Sequence, residues 1–177
     1  MDELFLLPPS TVAMPRAYWL EQPFLSSQLI LIEPSTEEFS RIQNATQTAK
    51  DGDFDMEIVN NLYDKDCMII PHRRYDLITG EFRTKRKHDN YLGNGYEVWD
   101  PEAIVKEAKF LHFSDWPVPK PWVDGSEIIM TKNQPECHNA GNGTEDCRAR
   151  DLWLGFYSDF KERRNVYPPC KTFENPR

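Results

Sequence analysis

With 177 residues, 39% of them apolar and 28% charged, the chain is long enough to bury one core and is composed like a globular protein rather than a disordered one. A net charge of -8 argues against nucleic acid or an anionic membrane surface as partner, because both are polyanions that reward clustered Lys and Arg. No apolar run reaches the roughly 18 residues needed to span a bilayer, and Met1 is followed by acids rather than by a basic, then apolar, leader.

In chain order the pattern alternates strand and helix, which predicts an α/β fold with a partly parallel sheet. Leu29 to Ile32 is continuously apolar and predicts a buried strand. Ser35 and Glu38 then form a capping box for a helix carrying Phe39, Ile42 and Ala49. A second helix is predicted from Asp55 through Tyr63, with Met56, Val59 and Tyr63 on one face and Asp55 at its start, where an acid suits the helix dipole. Met68 to Ile70 is apolar again, headed by Cys67, which reads as a small buried hydrophobe. The basic run Arg83 to Lys87 reads as a solvated loop. Asp100 and Pro101 are an N-cap and N1 pair for a third helix, which feeds an apolar strand from Phe110 to Phe113. Trp153, Phe156, Tyr157 and Phe160 fall at the spacing of one face of a final amphipathic helix, expected to be packing. Residues 1–125 are accordingly expected to form one part and 126–177 an extension with a cysteine-containing loop and that helix.

Cys137, Cys147 and Cys170 crowd into the last third, where one bridge among them is expected in an oxidising compartment. They lack the paired hooks of a structural zinc site. Two glycosylation sequons begin at Asn44 and Asn142.

The stretch with most chemical content is Lys109 to Trp122, KFLHFSDWPVPKPW. An apolar strand delivers His112 near its carboxyl end, where ligands bind in open α/β sheets. Lys120 follows between Pro119 and Pro121, whose fixed φ angles limit the wandering of the loop. A neutral imidazole can bind a divalent cation, and an ammonium can offset the charge of a diphosphate.

This segment resembles the terminal motif of the family 8 glycosyltransferases, the glycogenin-like retaining enzymes, in which a His-Phe strand leads by a short loop to Lys-Pro-Trp. Three more blocks occur in the family's order. PFLSSQLILIEPS from Pro23 is similar to Phe-Asn-Ser-Gly followed by an apolar strand and Pro-Ser. DMEIVN from Asp55 is similar to Asp-Gln-x-Ile-Leu-Asn, and MIIPHRRY from Met68 to the Leu-Pro and Tyr-Asn strand. The wording is nearest to the fungal, Golgi-resident branch that transfers N-acetylglucosamine.

The resemblance implies a GT-A-type nucleotide-diphospho-sugar transferase fold, a mixed sheet with flanking helices, present only in its carboxyl-terminal part. The opening MDELFLLPP resembles the text just after the family's Asp-x-Asp motif, so the amino-terminal nucleotide-binding half, with its manganese carboxylates and any anchor, is expected to be absent. The implied roles are His112 as a ligand of Mn2+, Lys120 on the diphosphate, Ser26 and Ser27 on the substrate, and Asp55 facing the transferred sugar, with a nucleotide-sugar donor and a glycan acceptor as partners. The Golgi lumen is the implied compartment, and the cytoplasm the other. Departures from the family text are Ser26, Ser27 and Gln28 for Asn-Ser-Gly, Met56 for glutamine, Asp115 for a glycine, and a longer His112–Lys120 loop. They fall where the family contacts its donor, and the alternative reading is a catalytically inactive remnant or a carbohydrate-binding fragment.

Overall fold

The computed structural model describes residues 1–123, 127–139 and 143–166. They divide into two units: Met1–Ile78 with Arg86–His112, and Thr79–Lys85 with the residues from Phe113 onward.

The first unit is built on β1, Val12–Pro15, whose four residues are all buried. Such a strand must be covered on both faces, and side chains alternate between them. Val12 and Met14 pack with Leu25 and Tyr63, while Ala13 packs with Leu4, Ile70 and Tyr75 on the other face. Each fully buried aliphatic side chain in these clusters is worth roughly 1.5–3 kcal/mol. β2, Leu31–Ile32, pairs antiparallel to β1 with Val12 opposite Ile32. The predicted strand is thus two residues long, and Leu29 and Ile30 instead pack against the two core clusters.

Helix α1, Thr36–Gln47, begins at the expected N-cap, with Ser35 Oγ accepting from the Glu38 N–H at 3.3 Å, but the reciprocal half of the capping box is not made and Ala49 lies beyond the helix end. The Glu38 carboxylate serves Arg41 and the Tyr63 hydroxyl. Helix α2, Asp55–Tyr63, has its first turn closed by Glu57, whose carboxylate accepts from the Phe54 N–H at 2.9 Å, so Asp55 is the first helical residue and not the cap. β3, Met68–Ile70, then returns parallel to β1, with Ala13 opposite Met68. Cys67 is half-buried against the Val12 cluster, and burial pushes its thiol pKa up, which agrees with a packing role.

A short helix α3, His72–Tyr75, leads to β4, Leu77–Ile78. Arg73 of α3 forks onto Glu97 and also binds Glu107. After α4, Asp89–Leu92, Gly93 takes a positive φ of 74° that ends the turn. Helix α5, Pro101–Glu107, starts as predicted, with Asp100 Oδ1 accepting from the Glu102 and Ala103 N–H groups at 3.0 Å. It feeds β5, Leu111–His112, parallel to β4 with Ile78 opposite His112.

The second unit contains the 3-10 turn Thr79–Arg83, α6 (Glu127–Asn133), the strands β6 (His138–Asn139) and β7 (Glu145–Asp146), and α7 (Arg148–Val166). The aromatic stripe of α7 is packing: Trp153 and Tyr157 are buried, and Phe113 packs edge-on to Tyr157 and Phe160. Of the tail cysteines, Cys137 and Cys147 are joined across the β6–β7 hairpin, while Cys170 and Asn142 lie outside the described residues. The mixed α/β expectation is met by small sheets with flanking helices.

Candidate functional site

In the first unit the segment Leu25–Ser27 is held by a side chain of α2. Asn60 Oδ1 accepts from the Leu25 N–H at 2.7 Å, and its Nδ2 donates to the Leu25 carbonyl at 2.9 Å and the Met56 carbonyl at 2.8 Å. A carboxamide presents one acceptor beside one donor, the pattern of a peptide group, so Asn60 pairs with Leu25 as a strand would. Ser26 is fully buried; its N–H donates to the Pro15 carbonyl at 2.8 Å, and its Oγ accepts from the Gln28 N–H at 3.3 Å. Ser27 is half-buried.

Asp55 stands exposed at the start of α2, and its carboxylate has no side-chain partner among the described residues. Close to this helix is a cleft of about 780 Å³, lined among others by Arg16, Gln22, Phe24, Asp53, Glu57 and Asn61. Amides and carboxylates around one aromatic ring are the chemistry that meets sugar hydroxyls. Ser26, Ser27 and Asp55 are not among its lining residues.

Asp76, between α3 and β4, is the most unusual group. Its side chain is fully buried, and among the described residues neither carboxylate oxygen meets a donor in good hydrogen-bond geometry, the Ser26 hydroxyl being the polar group at hand. Burial raises its pKa to about 7, with the nearby Ser26 hydroxyl pulling weakly the other way. Ser26, predicted for the substrate, is thus beside a buried acid.

His112 ends β5, half-buried, as the strand pattern predicted. Among the described residues no set of three His, Cys, Asp or Glu ligand atoms gathers around it; the one such group is Cys137, Glu145 and Cys147, whose sulfurs are bonded to each other. Among the described residues the protein donor nearest to such a role in this segment is the His112 imidazole itself.

Lys120 belongs to the second unit. Its ammonium donates to the Phe113 carbonyl and lies 5.9 Å from the centre of the Trp122 ring. Burial lowers its pKa, and the charge of Asp115 partly restores it. Asp115 is itself buried and is gripped by Thr79, Tyr157 and Arg83. Arg83 was expected in a solvated loop; it instead binds Asp115 and the Asn133 carbonyl, because a buried carboxylate demands a cation.

Asn60, Asp76 and Arg83 are the residues that sequence reasoning did not mark for the site. Asn60 had a signal, a polar residue four positions after Met56 on a helix face otherwise apolar. The other two had none, since their importance lies in what the fold sets beside them.

No protein-family model matches the chain, and no solved structure matches it. Named relatives do. The chain is 45% identical over 186 residues to glucose N-acetyltransferase 1 of Aspergillus fumigatus, an alignment covering 97% of this chain and 48% of that protein. It is 52% identical over 169 residues to glucose N-acetyltransferase 1 of Gibberella zeae, covering 93% of this chain and 36% of that one. The protein of that name in Saccharomyces cerevisiae is 26% identical over 180 residues, covering 80% of this chain. The chain thus spans about half the length, or less, of the relatives it matches. By this similarity it is a relative of the fungal proteins named glucose N-acetyltransferase 1, along nearly all of its own length.

Proposed function

We propose that the chain is the carboxyl-terminal part of a family 8, GT-A-type glycosyltransferase that moves N-acetylglucosamine or glucose from a nucleotide diphosphate to a glycan, with retention of configuration. The observation that carries this reading is similarity to proteins named glucose N-acetyltransferase 1 over 97% of the chain. The Cys137–Cys147 bridge suits the oxidising Golgi lumen as the place of work.

In this reading the chain supplies part of the donor site. Lys120, on a proline-stiffened loop, meets the charge that develops on the leaving diphosphate, a stabilisation strongest where water is excluded. Manganese, when bound, would neutralise the same diphosphate. His112 would be one of its ligands, and the carboxylates that complete the set would come from polypeptide outside this chain. Asp55, exposed at the start of α2, would face the transferred sugar; Ser27 would lie on the substrate side, while Ser26, fully buried, would act from beneath by shaping that segment.

The test uses the full-length enzyme, meaning this segment together with the further polypeptide that the relatives carry. Transfer from uridine diphosphate N-acetylglucosamine is measured against manganese concentration. His112→Ala should sharply weaken the manganese dependence while leaving the fold intact. Unchanged dependence would remove His112 from the ligand set.

A second reading, a carbohydrate-binding fragment without catalysis, is favoured by the polar cleft beside α2. It predicts that the isolated chain binds oligosaccharide but that no full-length form transfers sugar.

A further inference from the structure

The loop that carries Lys120 is assembled around one buried carboxylate. Asp115 is 3% exposed. Its Oδ2 accepts from the Thr79 hydroxyl and from the Tyr157 hydroxyl, the latter at 2.9 Å. Arg83 Nη1 donates to the Asp115 carbonyl at 3.0 Å and lies 3.4 Å from Oδ1. Thr79 Oγ1 also accepts from the Ser114 N–H at 2.9 Å, so one hydroxyl ties two successive loop residues. On the other side of the loop, the Val118 N–H donates to the Asp115 carbonyl at 2.7 Å. The chain then passes Pro119 to Lys120, whose ammonium turns back onto the Phe113 carbonyl.

A desolvated carboxylate is tolerable only where its lone pairs are met, so each donor is under strong demand. Burial and the adjacent charge of Asp115 push the Tyr157 phenol well above its ordinary range, which keeps it a donor at any physiological pH. Arg83 is fixed in turn by the Asn133 carbonyl at 2.6 Å and by the Trp153 ring, 6.0 Å away. The two ends of this loop therefore cannot shift without breaking bonds inside a dry pocket.

We propose that Tyr157, Thr79 and Arg83 are positioning residues for Lys120: acting through Asp115, they hold the loop so that its ammonium meets a diphosphate. This rests on the reading of Lys120 given above. It assigns α7 a task beyond packing, because Tyr157 reaches from that helix into the donor loop. A misplacement of about 1 Å in such a group is enough to cost activity heavily.

The experiment is calorimetric titration of uridine diphosphate, in manganese buffer, into the full-length enzyme and its variants. Tyr157→Phe keeps the ring and deletes only the hydroxyl. It should weaken binding by about ten- to a hundredfold, the worth of one hydrogen bond to a charged group. Lys120→Ala should weaken it at least as much. In the double variant the loss should equal that of Lys120→Ala alone, since Tyr157 acts through Lys120. If Tyr157→Phe fails to fold, Thr79→Val and Thr79→Ser give the same comparison, with serine restoring the affinity that valine loses. Additive losses in the double variant, or unchanged affinity in Tyr157→Phe beside a weakened Lys120→Ala, would overturn the positioning role alone. Unchanged affinity in Lys120→Ala would overturn both it and the donor-site reading.

Discussion

Asn60 and Leu25 exchange two hydrogen bonds, side chain to peptide, at 2.7 and 2.9 Å. The pair lies 35 residues apart in sequence and closes the loop before Ser26 onto the second helix.

Replacing Asn60 by alanine should therefore do more than delete a side chain. It strands the Leu25 N–H and carbonyl in a buried place, each worth about 1 kcal/mol or more when left unpaired. Urea unfolding of Asn60→Ala should show a loss of about 2–3 kcal/mol. Asn60→Asp, which keeps the acceptor and loses the donor, should fall between. A loss within about 0.5 kcal/mol, typical of a neutral surface site, would show that the loop is held by other means.

Asp76 makes a prediction in pH. Its folded pKa of about 7 lies above the unfolded value of 3.8, so the folded state binds the proton more tightly. The contribution is fully present below pH 3.8, declines as pH rises through that value, and is gone above about pH 7. The span corresponds to roughly 4 kcal/mol. Asp76→Asn, neutral at every pH, should flatten that slope and unfold at higher temperature than the parent at pH 8. Parallel pH profiles for the two proteins would mean that Asp76 is paired or solvated.

The bridge between Cys137 and Cys147 closes a loop of 10 residues in sequence separation. By the chain-entropy argument such a loop is worth about 3 kcal/mol. Reductant should lower the melting temperature, and Cys137→Ser should match the reduced protein and respond no further. A melting curve indifferent to reductant would indicate that the hairpin is held by other contacts, such as the Arg148–Asp146 ion pair at 2.8 Å.

Much of the architecture was legible because it depends on local rules. Ser35 and Asp100 announced helix starts through their capping chemistry, and both accept the amide hydrogens expected of them. The stripe on the last helix announced burial of Trp153 and Tyr157. Strand lengths were less legible: an apolar run says that residues are buried, not whether a ladder or a side-chain cluster buries them, as Leu29 and Ile30 illustrate. For the candidate site, the sequence offers a reading only where one segment carries its own chemistry, as in the loop ending at Lys120. Asp76 reads locally as an ordinary turn acid and Arg83 as a solvated charge. Their character comes from neighbours such as Ser26 and Asp115, at 50 and 32 positions' distance, which no local pattern reports.

The central claim is that this chain holds one part of a donor site and not the whole. Titrating uridine diphosphate with manganese into the isolated chain and into the full-length enzyme tests it most directly. The isolated chain should show no measurable heat of binding, because in the proposed reading the carboxylates that complete the metal site lie in polypeptide outside it, while the full-length enzyme should bind. Tight binding by the isolated chain would contradict the account and turn attention to carboxylates of this chain, such as Asp53 of the cleft beside α2 and the exposed Asp55.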